Sequence, residues 1–172
     1  RTDVACFIGY AGVRDLEVPQ RLRAWLQHQG WWSSRSSPGI HPGAESLFDL
    51  PVPIDNWEQF DRLFAWDRRN YGSGATTGAT YLGAAVRSFF AQGGRRCFVI
   101  SLGAPVDLSD DQDARSARLQ ELVPKGVKDR WDRSGWHGLH HLFGLPEVSL
   151  VAMPDLAELA SVYREDLPPP LE

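Results

Sequence analysis

Residues 81–100 read YLGAAVRSFFAQGGRRCFVI, and the fold follows from how that stretch is parsed. Leu82, Ala85, Val86, Phe89 and Phe90 stand at i, i+3, i+4, i+7 and i+8, the spacing that lines one face of an α-helix with apolar side chains. This predicts a helix over 80–92 with an inward face, in which Phe89→Ala or Phe90→Ala leaves a cavity costing about 3–5 kcal/mol. Gly93-Gly94 ends the helix, because a left-handed cap carries no steric penalty when the residue lacks a Cβ. After Arg95-Arg96 comes Cys97-Phe98-Val99-Ile100-Ser101-Leu102, a mostly apolar run of strand length. Without polar alternation it suits a strand buried on both faces, as inside a parallel sheet. A helix, a glycine stop and a doubly buried strand form one unit of an α/β architecture.

Two more runs have this buried-strand character, Val4-Ala5-Cys6-Phe7-Ile8-Gly9 and Val148-Ser149-Leu150-Val151-Ala152-Met153. Helical patterns lie between them. Pro19 suits a first helical turn ahead of Leu22, Trp25 and Leu26, with Gly30 as the stop. Asp55 stands three residues before Glu58, a capping-box spacing, ahead of a stripe of Trp57, Phe60, Leu63 and Phe64. Ser109 to Gln112 offers a second box before a polar helix through about Val123, carrying Ala117, Leu119 and Leu122. Trp136, Leu139 and Phe143 form a short stripe ended by Gly144. Pro154 breaks the third strand, and Asp155 with Glu158 repeats the cap before Leu156, Leu159, Ala160 and Tyr163. Leu50-Pro51-Val52-Pro53-Ile54 is a short extended piece whose prolines belong on a sheet edge. Residues 31–46, 68–79 and 124–135 read as loops. The expected architecture is α/β: a mainly parallel or mixed sheet flanked by helices, with right-handed crossovers. Residues 1–172 are expected to form a single domain, with a long insertion over 13–50 after the first strand.

Composition narrows the function classes. The 172 residues carry 18 Lys+Arg against 22 Asp+Glu, a formal charge of −4, so the basic excess of a nucleic-acid or membrane-surface binder is missing. With 42% hydrophobic and 23% charged residues the chain has the composition of a globular domain rather than a disordered one. No apolar run approaches the roughly 20 residues that span a bilayer. Cys6 and Cys97 are too few and too far apart for a disulfide framework, and each is expected to be a reduced core thiol, consistent with intracellular folding.

Candidate chemistry is sparse. Gly72-Ser73-Gly74-Ala75-Thr76-Thr77-Gly78 has the look of a phosphate loop, but it follows a helix, is spaced GxGxxxG and lacks GK[ST], so it reads as a connector. His137, His140 and His141 cluster, with 137 and 141 at the i, i+4 spacing that can hold zinc, yet position 138 is glycine where a metalloprotease needs its base. They read as surface or partly buried histidines. Ser101 has no nucleophile-elbow sequence around it. Asp107, Asp110, Asp111 and Asp113 lack the order of a calcium loop and suit the acidic start of a helix. No catalytic, cofactor or metal residue is assigned. Among seven tryptophans, Trp31-Trp32 and Trp131 fall in loop-like segments, either exposed as a contact surface or buried by an insertion that folds back.

In order along the chain, the organised segments resemble the N-terminal part of contractile tail sheath proteins of phage tails and phage-tail-like contractile injection systems. The matching pieces are 2–9 (TDVACFIG), 51–60 (PVPIDNWEQF), 81–100 (YLGAAVRSFFAQGGRRCFVI) and 148–155 (VSLVAMPD). Together they cover under half the chain, and 81–100 is the specific one. The resemblance implies a structural subunit that polymerises around an inner tube and contracts to drive it through a target envelope, with no active site or nucleotide. It implies partners that are copies of the subunit, the inner tube and baseplate proteins, without nucleic acid or membrane insertion. The expected location is the cytoplasm during assembly and then the particle. The family's N-terminal linking arm, expected before residue 2, and its large C-terminal domain, expected after 148–164, are not in this stretch. The chain is therefore expected to be a sheath fragment, or else a specialised short component. A binding module using Trp31-Trp32 and a metal-dependent hydrolase using the histidines are the competing readings.

Overall fold

The computed structural model describes residues 4–14, 17–32, 47–71, 76–107, 111–126 and 131–161. In chain order the elements begin with β1 (Val4–Gly9), β2 (Gly12–Val13), α1 (Gln20–His28), β3 (Val52–Ile54), α2 (Trp57–Leu63) and β4 (Phe64–Ala65). There follow β5 (Arg69–Asn70), β6 (Thr77–Gly78), α3 (Tyr81–Ala91), β7 (Cys97–Ser101) and α4 (Gln112–Leu122). Two 3-10 helices, Arg133–Gly135 and Gly138–Gly144, precede β8 (Val148–Ala152) and α5 (Leu156–Leu159). The fold is α/β. Its main sheet is mixed, in the order β3-β7-β1-β8, with β1 parallel to both β7 and β8 and β3 antiparallel to β7 at one edge. Two short antiparallel pairs, β2 with β4 and β5 with β6, complete the strand pairing.

The apolar runs explain the layering. Every residue of β7 is buried, as are the last five of β1, so each strand needs cover on both faces. Register shows which helix supplies it. Cys6 aligns with Phe98 and Phe7 with Val99, and aligned residues of parallel strands share a face while neighbours alternate. Phe7 meets Phe89 of α3 edge-on with centroids 5.5 Å apart, whereas Phe98 stacks on Trp25 of α1 at 6.1 Å. Helix α3 therefore covers one face and α1 the other. The same alternation puts Cys6 and Cys97, both fully buried free thiols, on opposite faces of the sheet. Burial pushes both thiols up, Cys97 to about 12, so neither is a thiolate near neutral pH.

Several local expectations need correction. The capping box of α2 sits one residue later than Asp55/Glu58: Asn56 accepts the Gln59 N–H at 2.8 Å, and the Gln59 side chain accepts the Asp55 N–H at 3.0 Å. Asp111 caps α4 by accepting the Ala114 N–H at 2.8 Å, while Ser109 lies outside the described residues. The 68–79 loop is framed by the β5–β6 hairpin, with 72–75 outside the described residues. Residues 138–144 form a 3-10 helix, whose three-residue turn aligns 136 with 139 but carries Phe143 outward to 73% exposure. Strand β8 is parallel as expected but is an edge rather than an interior strand, and it leaves Leu150 58% exposed.

Helix α3 also turns slightly from the expected face. Its buried residues are Leu82, Gly83 and Val86, while Phe89 and Phe90 are half-buried, so the cavity cost belongs at Leu82. Gly83 is where α3 passes the aromatic layer of α2 and β4: a Cβ there would lie 2.5 Å from the Trp66 Cβ. Leu82→Ala is expected to lower stability by about 2–5 kcal/mol in chemical denaturation. Gly83→Ala is expected to destabilise by roughly 1–3 kcal/mol through overpacking, despite the better helix propensity of alanine.

Candidate functional site

In open α/β sheets the ligand crevice lies beyond the carboxyl ends of the strands, where the chain reverses its direction of travel across the sheet. Here the chain passes from β1 to β7 on one side and then to β8 on the other, so that place lies between β1 and β8. The Asp155 side chain fills it. Sequence spacing makes Asp155 the cap of α5, yet its side chain accepts no bond from its own helix. It instead crosses to accept the backbone N–H of Tyr10 at 3.0 Å. Position 9 has to be glycine for this, since a Cβ there would collide with Asp155 Oδ2. Burial raises the Asp155 carboxyl to about 6, against the pull of the Tyr10 N–H and of Arg69.

Neighbouring groups are held within the fold, although Arg69 keeps Nε and Nη1 buried without a hydrogen-bond partner among the described residues. Ser101 Oγ donates to the Ala11 carbonyl at 2.5 Å and accepts the Ala11 N–H at 3.3 Å. The Tyr10 hydroxyl donates to the Arg118 carbonyl at 2.7 Å, beside Glu121 Oε2 at 3.1 Å. Burial and the Glu121 carboxylate push that phenol above its ordinary range. Arg69, 1% exposed, donates through Nη2 to both Glu158 oxygens at 2.7 and 2.6 Å. Its guanidinium also lies 4.4 Å from the centroid of the Tyr81 ring.

The histidines His137 and His141 gather around Asp49, an aspartate that belongs to no motif. Asp49 takes a left-handed backbone, φ 54°, and donates its N–H to the Ser101 carbonyl at 2.7 Å. Its Oδ2 pairs with His137 Nδ1 at 2.6 Å, and its Oδ1 accepts the Gly138 N–H at 2.9 Å and meets His141 Nε2 at 3.2 Å. Burial works against the charge, but the His141 contact and charge, the Gly138 N–H and His137 together hold the carboxyl below its usual range. His141 is buried, His137 exposed and His140 half-buried, stacked on Phe143. Asp49 and His137 border an open cleft of about 510 Å³ with Leu102, Ala117, Glu121 and Pro124. Among the described residues no group of three His, Cys, Asp or Glu side chains is arranged to hold a metal ion.

No protein-family model matches the chain, and no curated protein matches it in sequence.

The tryptophans divide. Trp31 is buried at 3% exposure, packed on Trp25 and under the Arg133 guanidinium, and Trp32 is half-buried. Trp131 is 94% exposed. The calcium-like aspartates resolve as the start of α4: Asp111 is its cap and Asp113 lies in its first turn, with Asp110 outside the described residues. On β8, Leu150 and Val151 are 58% and 39% exposed. Successive strand residues point to opposite faces, so apolar side chains flank the open edge on both sides. No helix among the described residues is long and apolar enough to cross a membrane.

Asp49 and Asp155 are what motif reading missed. Asp155 carried a signal, a cap spacing beside Pro154, which pointed to the wrong partner. Asp49 offered only the tolerance of aspartate for left-handed turns. Asp49→Asn is expected to lower stability by about 1–3 kcal/mol at pH 7, because two imidazole donors and one amide lose their common anion. With a folded pKa below the unfolded one, Asp49 contributes stability above the unfolded value of about 3.9 and loses it as pH falls through the folded value. The stability difference between the two proteins is therefore expected to shrink as pH falls from about 4 through the folded value.

Proposed function

We propose that this chain is a structural subunit of a contractile tail sheath, one that polymerises around an inner tube and contracts to drive the tube through a target envelope. One observation carries the reading. The four segments that resemble sheath proteins, 2–9, 51–60, 81–100 and 148–155, hold the four strands of the main sheet, save the last residue of β7, together with α3 and the first four residues of α2. Segments outside the resemblance, including α1, α4 and both 3-10 helices, pack around that sheet rather than enter it.

The filled corner between β1 and β8 supports the same reading, since Asp155 occupies the place where a small ligand enters folds of this kind, although the cleft beside Asp49 and His137 at the end of β7 stays open. Partners are then copies of the subunit, an inner tube and baseplate proteins. Assembly takes place in the cytoplasm, and the finished subunit belongs to a phage tail or phage-tail-like particle. Force in such a machine comes from relaxation of an extended lattice, which asks for a rigid domain and strong contacts rather than a catalytic site. A Trp31-Trp32 contact surface has less to recommend it, because Trp31 is buried in the core.

Negative-stain electron microscopy of the complete gene product with its native termini, expressed alone and with its tube protein, tests the reading. Tubes or stacked rings are expected. Uniform monomers in both preparations would overturn it.

A further inference from the structure

The corner where β8 turns into α5 holds a buried acid that the proposed assembly does not use. Asp155 is 2% exposed, and the Tyr10 N–H is the one hydrogen bond its carboxyl accepts among the described residues. Charged groups face it from three elements. On α5 itself stands Glu158, whose carboxylate is taken up by Arg69 at 2.6 Å. From β5 comes Arg69, with Glu158 on Nη2 and the Tyr71 and Tyr81 rings 5.2 and 4.4 Å from its guanidinium carbon. From α4 come Arg118, which donates to the Ala104 carbonyl at 2.9 Å, and Glu121, at the Tyr10 hydroxyl. Both cations have other acceptors, Glu158 and Glu121 add negative charge, and Gly9 closes the space beside Oδ2. A neutral carboxyl is comfortable in that setting. A carboxylate there is 2% exposed and has the Tyr10 N–H as its one donor among the described residues.

We propose that Asp155 is a proton-operated latch: with its side chain neutral the β8–α5 corner is closed on Gly9 and Tyr10, and ionisation loosens that corner. The reason is solvation, because the readiest way to hydrate the anion is to move Pro154 and the start of α5 away from β1. Its pKa, raised to about 6, gives the sign. The folded protein holds the proton more tightly than the unfolded chain, so the contribution to stability is full below the unfolded value of about 3.9 and is lost as pH rises through the folded value. Acid therefore locks the corner and neutral pH releases it. The latch does not depend on the sheath reading.

The test compares the full chain with Asp155→Asn, which keeps an oxygen for the Tyr10 N–H and never ionises. Folding equilibrium constants from denaturant titrations at pH 5.0 and 7.5 are expected to show the wild-type to variant ratio falling about tenfold between the two, a comparison in which the five histidines cancel. Tyr10 amide exchange is expected to be faster in the wild type than in the variant at pH 7.5, with β7 amides equal in both. A ratio constant or rising with pH would overturn the latch. Should the variant fail to fold, a carboxyl-carbon NMR titration of the wild type decides: a midpoint near 6 supports the latch, and one at or below about 4 overturns it.

Discussion

Strand β1 has nowhere to hide a backbone polar group except in two neighbours. From Ala5 to Gly9 it is buried, and an unpaired N–H or C=O there costs as much as a lost hydrogen bond. Both edges of β1 must therefore be occupied, by β7 through five aligned pairs and by β8 through a ladder with one irregularity between Val4 and Ala5. Parallel neighbours cannot be joined by tight hairpins, so the chain must run long crossovers, and these supply α3 and α1 to the two faces. Where β1 ends, Gly9 and Tyr10 lie beneath the third strand's continuation. The side chain that closes this point has to be small enough to fit against a glycine and able to accept the Tyr10 N–H. Asp155 meets both demands at the cost of burying a titratable group.

That dependence explains what was legible in the sequence. Apolar runs and helical spacing identify β1, β7, α1 and α3, because a doubly buried strand or an amphipathic helix writes its environment directly into its residue types. The piece Leu50-Pro51-Val52-Pro53-Ile54 was legible as an edge because proline cannot donate to a strand ladder. The errors share a different character. The Val148–Ala152 run looks interior because it is apolar, but burial of an edge depends on what lies beside it, which periodicity does not encode. Phe143 points outward because its helix is 3-10, and α-helical spacing places it on the wrong face. The Asp55/Glu58 and Asp155/Glu158 spacings are alike, yet one cap shifts to Asn56 and Gln59 while the other aspartate serves a strand 145 residues away. Side-chain hydrogen bonds of that reach are tertiary facts. The Asp49 cluster is of the same kind, uniting residues 88 and 92 positions apart.

Strand β8 joins an exposed edge to the buried acid. Its outer edge carries Leu150 and Val151 toward solvent, and its chain continues through Pro154 directly to the buried acid that closes the sheet. An open apolar edge is a liability in a solitary protein and a resource in one that assembles. Among the described residues no strand pairs with the outer edge of β8, while the doubly covered strands β1 and β7 lie behind it. The histidine cluster lies at the end of β7, on the carbonyl of Ser101, and holds residues 47–50 and 137–141 to the same rim.

The account rests on β1 being interior and β8 being an open edge, and residue-resolved hydrogen exchange on the intact protein measures both at once. Amides of β1 and β7 are expected to be the last to exchange, at the rate of global unfolding, while the β8 amides that point away from β1 exchange early. Uniform slow exchange across β8, matching β1, would mean that the edge is covered and would contradict the account.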